Sequence, residues 1–123
     1  MNIQEDYCSY EVSKLLKEKG FDEIECVGYY CDDKPKEVQI SYCGETNSTW
    51  KKRCCQAPTH QMAMKWLREE QNLYIEIRRN LNTFYYGWKV EQGMSVKAIF
   101  DYKYDSYEQA VEAALLYVLK NLI

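Results

Sequence analysis

One short phrase recurs three times along the chain: Ser9-Tyr10-Glu11, Thr59-His60-Gln61 and Ser106-Tyr107-Glu108. Each copy leads at once into apolar residues at helical spacing. A hydroxyl at such a point is an N-cap, because its oxygen can accept from the unpaired amides of the first turn. Glu11 and Glu108 add negative charge at the positive end of the helix dipole. Three helix starts are thereby placed, and the stretches between them must supply everything else.

The first helix is expected over 9–19, with Val12, Leu15 and Leu16 inward. Gly20 fits the left-handed position that closes many helices, with Phe21 beyond it to meet Leu16. Strands are expected over 26–31 and 37–43, joined by the turn residues Asp32-Asp33-Lys34-Pro35. Residues 44–56 show no periodicity and read as a surface loop or an irregular edge strand around 49–54. The second helix begins at Thr59, turns Met62, Ala63, Trp66 and Leu67 inward, and stops at Asn72, a residue that tolerates the left-handed conformation.

Three alternating segments follow. Leu73, Ile75 and Ile77 oppose Tyr74, Glu76 and Arg78; Phe84, Tyr86, Trp88 and Val90 oppose Tyr85, Gly87, Lys89 and Glu91; the last covers 95–103. The last helix opens with Ser106 and Gln109 in capping-box spacing. It carries Ala110, Val111, Ala114, Leu115 and Val118 on one stripe. The expectation is a single α+β domain over 1–123. It has two layers, a mainly antiparallel sheet of about five strands with helices packed on one face, in the order α-β-β-α-β-β-β-α. The first two helix-plus-hairpin stretches share a plan, which duplication and convergence would both produce.

Six cysteines raise the question of redox compartment. Residues 1–6 are polar and acidic, unlike a secretory leader, and no apolar run could span a membrane. The expectation is therefore a cytoplasmic protein with free, mostly buried thiols. A net charge of −3 supplies no general attraction to nucleic acid or to an anionic membrane.

Several constellations bear on chemistry. His60 is the only histidine. With no orienting carboxylate at a telling distance, it reads as a solvent-facing first-turn residue rather than a base or ligand. The cysteines lack the C-x-x-C pairs of a structural zinc site, so no metal and no cofactor is expected. Cys54 and Cys55 follow Lys51, Lys52 and Arg53, cations that would favour thiolates if the segment were exposed. Trp50 with Lys51, Lys52 and Arg53, and Arg78-Arg79 among tyrosines, combine cations with aromatics as single-strand binders do. Tyr74, Arg78, Tyr85 and Lys89 would share the uncovered sheet face. Twelve tyrosines against three phenylalanines suit such half-exposed surfaces.

The stretches CSYEVSKLLKEKGF (8–21), APTHQMAMKWLRE (57–69) and YEQAVEAA (107–114) together resemble a family of small uncharacterised proteins from Bacteroides-type gut bacteria and their phages or prophages. The resemblance extends from the first helix to the last. It implies a cytoplasmic accessory protein carried by a mobile element, and it carries no assigned activity, cofactor or catalytic residue. The leading expectation is a non-enzymatic protein acting on a protein partner or as a homodimer. The alternatives are a nucleic-acid-binding module using Trp50, Lys51, Lys52, Arg53, Arg78 and Arg79, and a thiol-redox protein using Cys54 and Cys55.

Overall fold

The structure is a computed structural model that describes residues 4–42, 44–49 and 53–123. Its elements are α1 (Tyr10–Glu18), β1 (Gly28–Cys31), β2 (Gln39–Ile40), β3 (Cys54–Gln56), α2 (His60–Gln71), β4 (Leu73–Arg79), β5 (Tyr86–Gln92), β6 (Ser95–Ala98) and α3 (Tyr107–Asn121). The α+β class and the antiparallel pairing agree with the sequence. The single five-stranded sheet does not. The strands form two three-stranded sheets, ordered β2-β1-β3 and β4-β5-β6. The difference comes from β3, which falls in the stretch expected to be loop or irregular edge. It pairs with β1 as a third strand, and the order becomes α-β-β-β-α-β-β-β-α.

The chain divides into two compact units, 1–63 and 64–123, with the boundary inside α2. Among the described residues no helix is long and apolar enough to cross a membrane.

All three caps form. Ser9 Oγ accepts from Val12 N–H at 3.2 Å, Thr59 Oγ1 from Met62 N–H at 3.2 Å, and Ser106 Oγ from Gln109 N–H at 3.1 Å. The return leg of the box runs from Gln109 Oε1 to the N–H of Asp105 at 3.1 Å, one residue earlier than the simple pattern. Helix α1 ends in the paired bonds of a Schellman motif: Gly20 N–H donates to Lys17 O at 3.2 Å and Phe21 N–H to Leu16 O at 2.9 Å. Gly20 has φ +98°, where a side chain would be strained. Asn72, after α2, has φ +55°.

In the first unit α1 packs against β3, and Val12, Leu16, Phe21, Cys8 and Ala57 are fully buried. Tyr30 reaches under α1 to donate to Cys8 O at 2.8 Å and meets Tyr10 edge-on at 5.8 Å. The hairpin of β1 and β2 places Gly28 opposite Ile40. The second strand is shorter than the expected 37–43: only Gln39–Ile40 pairs, Ser41 and Tyr42 are irregular, and Cys43 lies outside the described residues. In the second unit α3 covers β5 and β4 with Ala110, Val111, Ala114, Leu115, Val118 and Leu119, all wholly buried. Trp88 of β5 meets Tyr117 of α3 at 5.1 Å. Both sheets begin with a helix followed by an antiparallel hairpin, but the third strand joins β1 in one and the second hairpin strand, β5, in the other.

Candidate functional site

The uncovered face of the second sheet is built by alternation. The β4–β5 register sets Tyr74 opposite Glu91, Glu76 opposite Lys89 and Arg78 opposite Gly87. The same register turns Ile75 and Ile77 toward Val90 and Trp88 on the α3 side. Arg78 pairs with Glu76 at 2.8 Å, while Lys89 reaches Glu91 at 3.0 Å and Glu76 at 4.0 Å. These pairs are exposed or half-exposed, so solvent screens each of them and they add little to stability. What they set is the alternation of charge across the face.

One end of this face is crossed by chain. A Cβ on Gly87 would stand 3.0 Å from Tyr102 Cδ1 and 3.3 Å from the Asp101 backbone. Phe100 and Tyr102 stack in parallel at 5.3 Å, and the Arg78 guanidinium lies 4.4 Å from the centre of the Phe100 ring. The glycine is what lets these aromatics settle on the strands. Of the residues expected here, Arg78 and Lys89 are brought together through Glu76, and Tyr74 is 47% exposed beside them. Tyr85 is exposed too, but it lies beyond the end of β5, where its carbonyl accepts from Asn80 N–H at 2.8 Å. Arg79 leaves the cluster and stacks over Phe84 at 4.6 Å. Phe84 itself sits at φ +64°, a strained backbone for a bulky side chain. Phe100 and Tyr102 fall in the stretch expected to be strand over 95–103, but β6 ends at Ala98, so they reach the face from irregular chain.

The first unit holds a second arrangement. Of the basic-aromatic loop, Trp50, Lys51 and Lys52 lie outside the described residues. Arg53 is exposed, and its carbonyl accepts from Asp32 N–H at 2.8 Å. Adjacent residues of a strand face opposite ways, and Cys54 and Cys55 do so. Cys55 is buried at 3% exposure against Tyr30 and Ala57, and burial pushes its thiol up to about 11. Cys54 stands directly opposite Cys31, with the sulfurs 3.1 Å apart. Burial first, then the hydrogen bond with Cys31, pushes the Cys54 thiol up to about 11 as well. A cleft of about 400 Å³ is lined by Cys31, Asp32, Asp33, Arg53 and Cys54. The sequence singled out Cys54 with its neighbour Cys55, behind Lys51, Lys52 and Arg53, and gave no signal for Cys31 as its partner, because a strand of three residues is too short to show a period of two.

His60 corrects an expectation. It is 5% exposed rather than solvent-facing. The segment before α1 lies along the helix start: Asp6 O accepts from His60 N–H at 2.8 Å, Pro58 O accepts from Cys8 N–H at 2.8 Å, and Tyr7 bridges to Thr59. Among the described residues no group of three or more His, Cys, Asp or Glu side chains is placed to hold a metal ion. Comparison with protein families, with curated proteins and with solved structures finds no match to this chain.

Proposed function

We propose that this chain is a non-enzymatic binding protein that acts by self-association, pairing the outer edge of β4 with the same edge of a second copy. The observation that carries this reading is the placement of Glu76 and Arg78 on a strand that ends its sheet. Asn80 N–H donates to Tyr85 O, and Gly93 N–H to Asn72 O, which marks the even-numbered positions as those bonded across to β5. Leu73, Ile75, Ile77 and Arg79 therefore direct their N–H and C=O groups to the outer edge. Two such edges meet antiparallel about a two-fold axis only in registers that pair odd positions with odd.

With Ile77 opposite its own copy, Glu76 falls opposite Arg78 twice. Both pairs occupy non-hydrogen-bonded positions, where side chains are closest. Sliding the register by two residues sets Glu76 against Glu76 in one direction and Arg78 against Arg78 in the other. Opposite charges directly across strands are worth about 0.2–1 kcal/mol each, and like charges cost as much. The edge is thus complementary to itself in one register. In this reading the protein is a cytoplasmic accessory protein of a mobile element, as the resemblance implies. The nucleic-acid reading has less support, because Glu76 holds Arg78 and the Arg78 and Arg79 guanidiniums already lie over the Phe100 and Phe84 rings.

Light scattering over a dilution series tests this. The wild type gives a dimer, and Glu76→Arg gives a monomer. The double swap Glu76→Arg with Arg78→Glu restores the dimer, since it re-forms both pairs. Ile77→Pro removes an outward N–H and leaves the β4–β5 bonds in place, at the expense of the side chain that faces Trp88, and also gives a monomer. A wild type that is monomeric at high concentration, or a double swap no better than the single, sinks the reading.

A further inference from the structure

The Cys31–Cys54 pair belongs to the β1–β3 ladder. Asp32 N–H to Arg53 O and Ala57 N–H to Gly28 O are hydrogen-bonded positions of that register, each at 2.8 Å. The alternation makes Cys31 and Cys54 a non-hydrogen-bonded pair, whose Cα atoms in an antiparallel ladder are about 4.5 Å apart. That separation lies within the range a disulfide accepts, so bonding the two sulfurs needs no movement of the backbone. Both residues are half-buried and line the cleft with Asp32, Asp33 and Arg53. The other described cysteines, Cys8, Cys26 and Cys55, are buried.

We propose that Cys31 and Cys54 form a reversible dithiol–disulfide site that exchanges with a low-molecular-weight disulfide entering the cleft. One cysteine gives its proton to solvent and its thiolate attacks a sulfur of the small disulfide. A mixed disulfide forms, the S–S bond of the small molecule breaks, and one small thiolate leaves and takes up a proton. The second cysteine then loses its proton and attacks the protein sulfur of the mixed disulfide, expelling the second small thiol. Two protein thiols are oxidised and one disulfide is reduced to two thiols, with no other reactant. Cys54 must ionise in either order of attack. Its raised pKa makes the exchange slow at neutral pH and steeply faster in alkali. This site is independent of the β4 edge and stands or falls without it.

The test uses the reduced, full-length chain and glutathione disulfide at pH 8, followed by alkylation of remaining thiols, intact mass measurement and peptide mapping. The expected product has lost two hydrogens, carries a peptide joined through Cys31 and Cys54, and returns to the starting mass with dithiothreitol. Cys31→Ser stops at a glutathione adduct on Cys54, and Cys54→Ser stops at one on Cys31. The mapping of the wild type decides the matter even if a serine variant folds poorly. A wild type that keeps both thiols alkylatable, that ends as a stable glutathione adduct, or that joins Cys54 to a different cysteine overturns the proposal.

Discussion

Gln56 N–H donates to Asn47 Oδ1 at 2.8 Å inside the first unit, where Gln56 is wholly buried and Asn47 is 8% exposed. The pair is the centre of a polar network. Asn47 Nδ2 donates to Phe21 O at 2.6 Å; Gln56 Nε2 donates to Glu23 O at 2.7 Å, and Gln56 Oε1 accepts from Glu23 N–H at 3.1 Å. Two irregular stretches, around 21–25 and 44–49, are thereby tied to β3. Truncating Asn47 takes the partner from the buried Gln56 N–H, and truncating Gln56 takes it from the half-buried Glu23 N–H, which costs about 1–3 kcal/mol per site. Asn47→Ala should lower unfolding stability by about 2 kcal/mol and Gln56→Ala by about 3, the larger loss including the cavity. Because Asn47 bonds to the backbone of Gln56 within one network, the double variant should depart from the sum of the single losses. Urea unfolding of the three variants measures this.

Ser13 shows the opposite case. It is wholly buried in α1, and its Oγ has no hydrogen-bond partner among the described residues. Ser13→Ala removes a desolvated hydroxyl and improves helix propensity, so it should stabilise by about 0.5–1 kcal/mol. Thermal melting should rise by a few degrees. A fall would mean that the hydroxyl has a partner after all.

These two sites also show where sequence reading works and where it stops. The helix ends were legible because Ser9, Thr59, Ser106 and Gly20 act on amides within four residues of themselves. Strands β4 and β5 were legible because seven residues suffice to display alternation. Strand β3 was not, since three residues show no period and its partner Cys31 is 23 positions away from Cys54. The same gap hid the thiol pair, the Gln56 network and the division into two sheets. His60 was misjudged because its burial is set by the chain at Asp6, not by its own helix. On the open face the alternation placed Tyr74, Arg78 and Lys89. It could not place Phe100 and Tyr102, which reach the face through irregular chain.

Gly87 tests that last arrangement. It is buried opposite Arg78, and a methyl there would press on Tyr102 Cδ1 at 3.0 Å and the Asp101 backbone at 3.3 Å. The ring can swing away, whereas the backbone is less free to yield. Gly87→Ala should therefore lift Tyr102 and separate Arg78 from Phe100. The cost should be about 1–3 kcal/mol, the usual range for overpacking. Aromatic and guanidinium NMR shifts confined to Phe100, Tyr102 and Arg78 would report it; an unchanged spectrum would contradict the close approach.

Acid should loosen the first unit through Asp22. The Thr46 side chain first, then the Ser48 N–H at 3.0 Å, hold the Asp22 carboxyl below the usual carboxylate range. A folded pKa below the unfolded value, near about 4, gives stability that is present above that value and lost as pH falls through the lower one. Urea midpoints between about pH 6 and about pH 2 should fall less steeply in Asp22→Asn than in the wild type. Equal slopes would remove Asp22 from the account.

Alkali should act through the thiols with the reverse sign. Burial pushes Cys26, Cys54 and Cys55 up to about 11 in the folded chain, whereas an unfolded cysteine titrates near about 8.5. Below that unfolded value all three are protonated in both states and the stability is fully present. Between it and about 11 the unfolded chain gives up protons that the folded chain keeps, so stability is lost progressively as pH rises. Cys26 and Cys55 should dominate, because Cys54 is nearer to solvent and its contribution is screened. Replacing Cys55 by Ala should flatten the alkaline limb of the urea midpoint while leaving the neutral chain folded. Oxidising Cys31 and Cys54 to the disulfide should remove the Cys54 share of that slope and raise the unfolding free energy at neutral pH by about 3 kcal/mol, the value expected for closing a loop of this length, with a matching rise in the midpoint. An oxidised chain with the same alkaline limb and the same midpoint as the reduced one would show that neither effect operates.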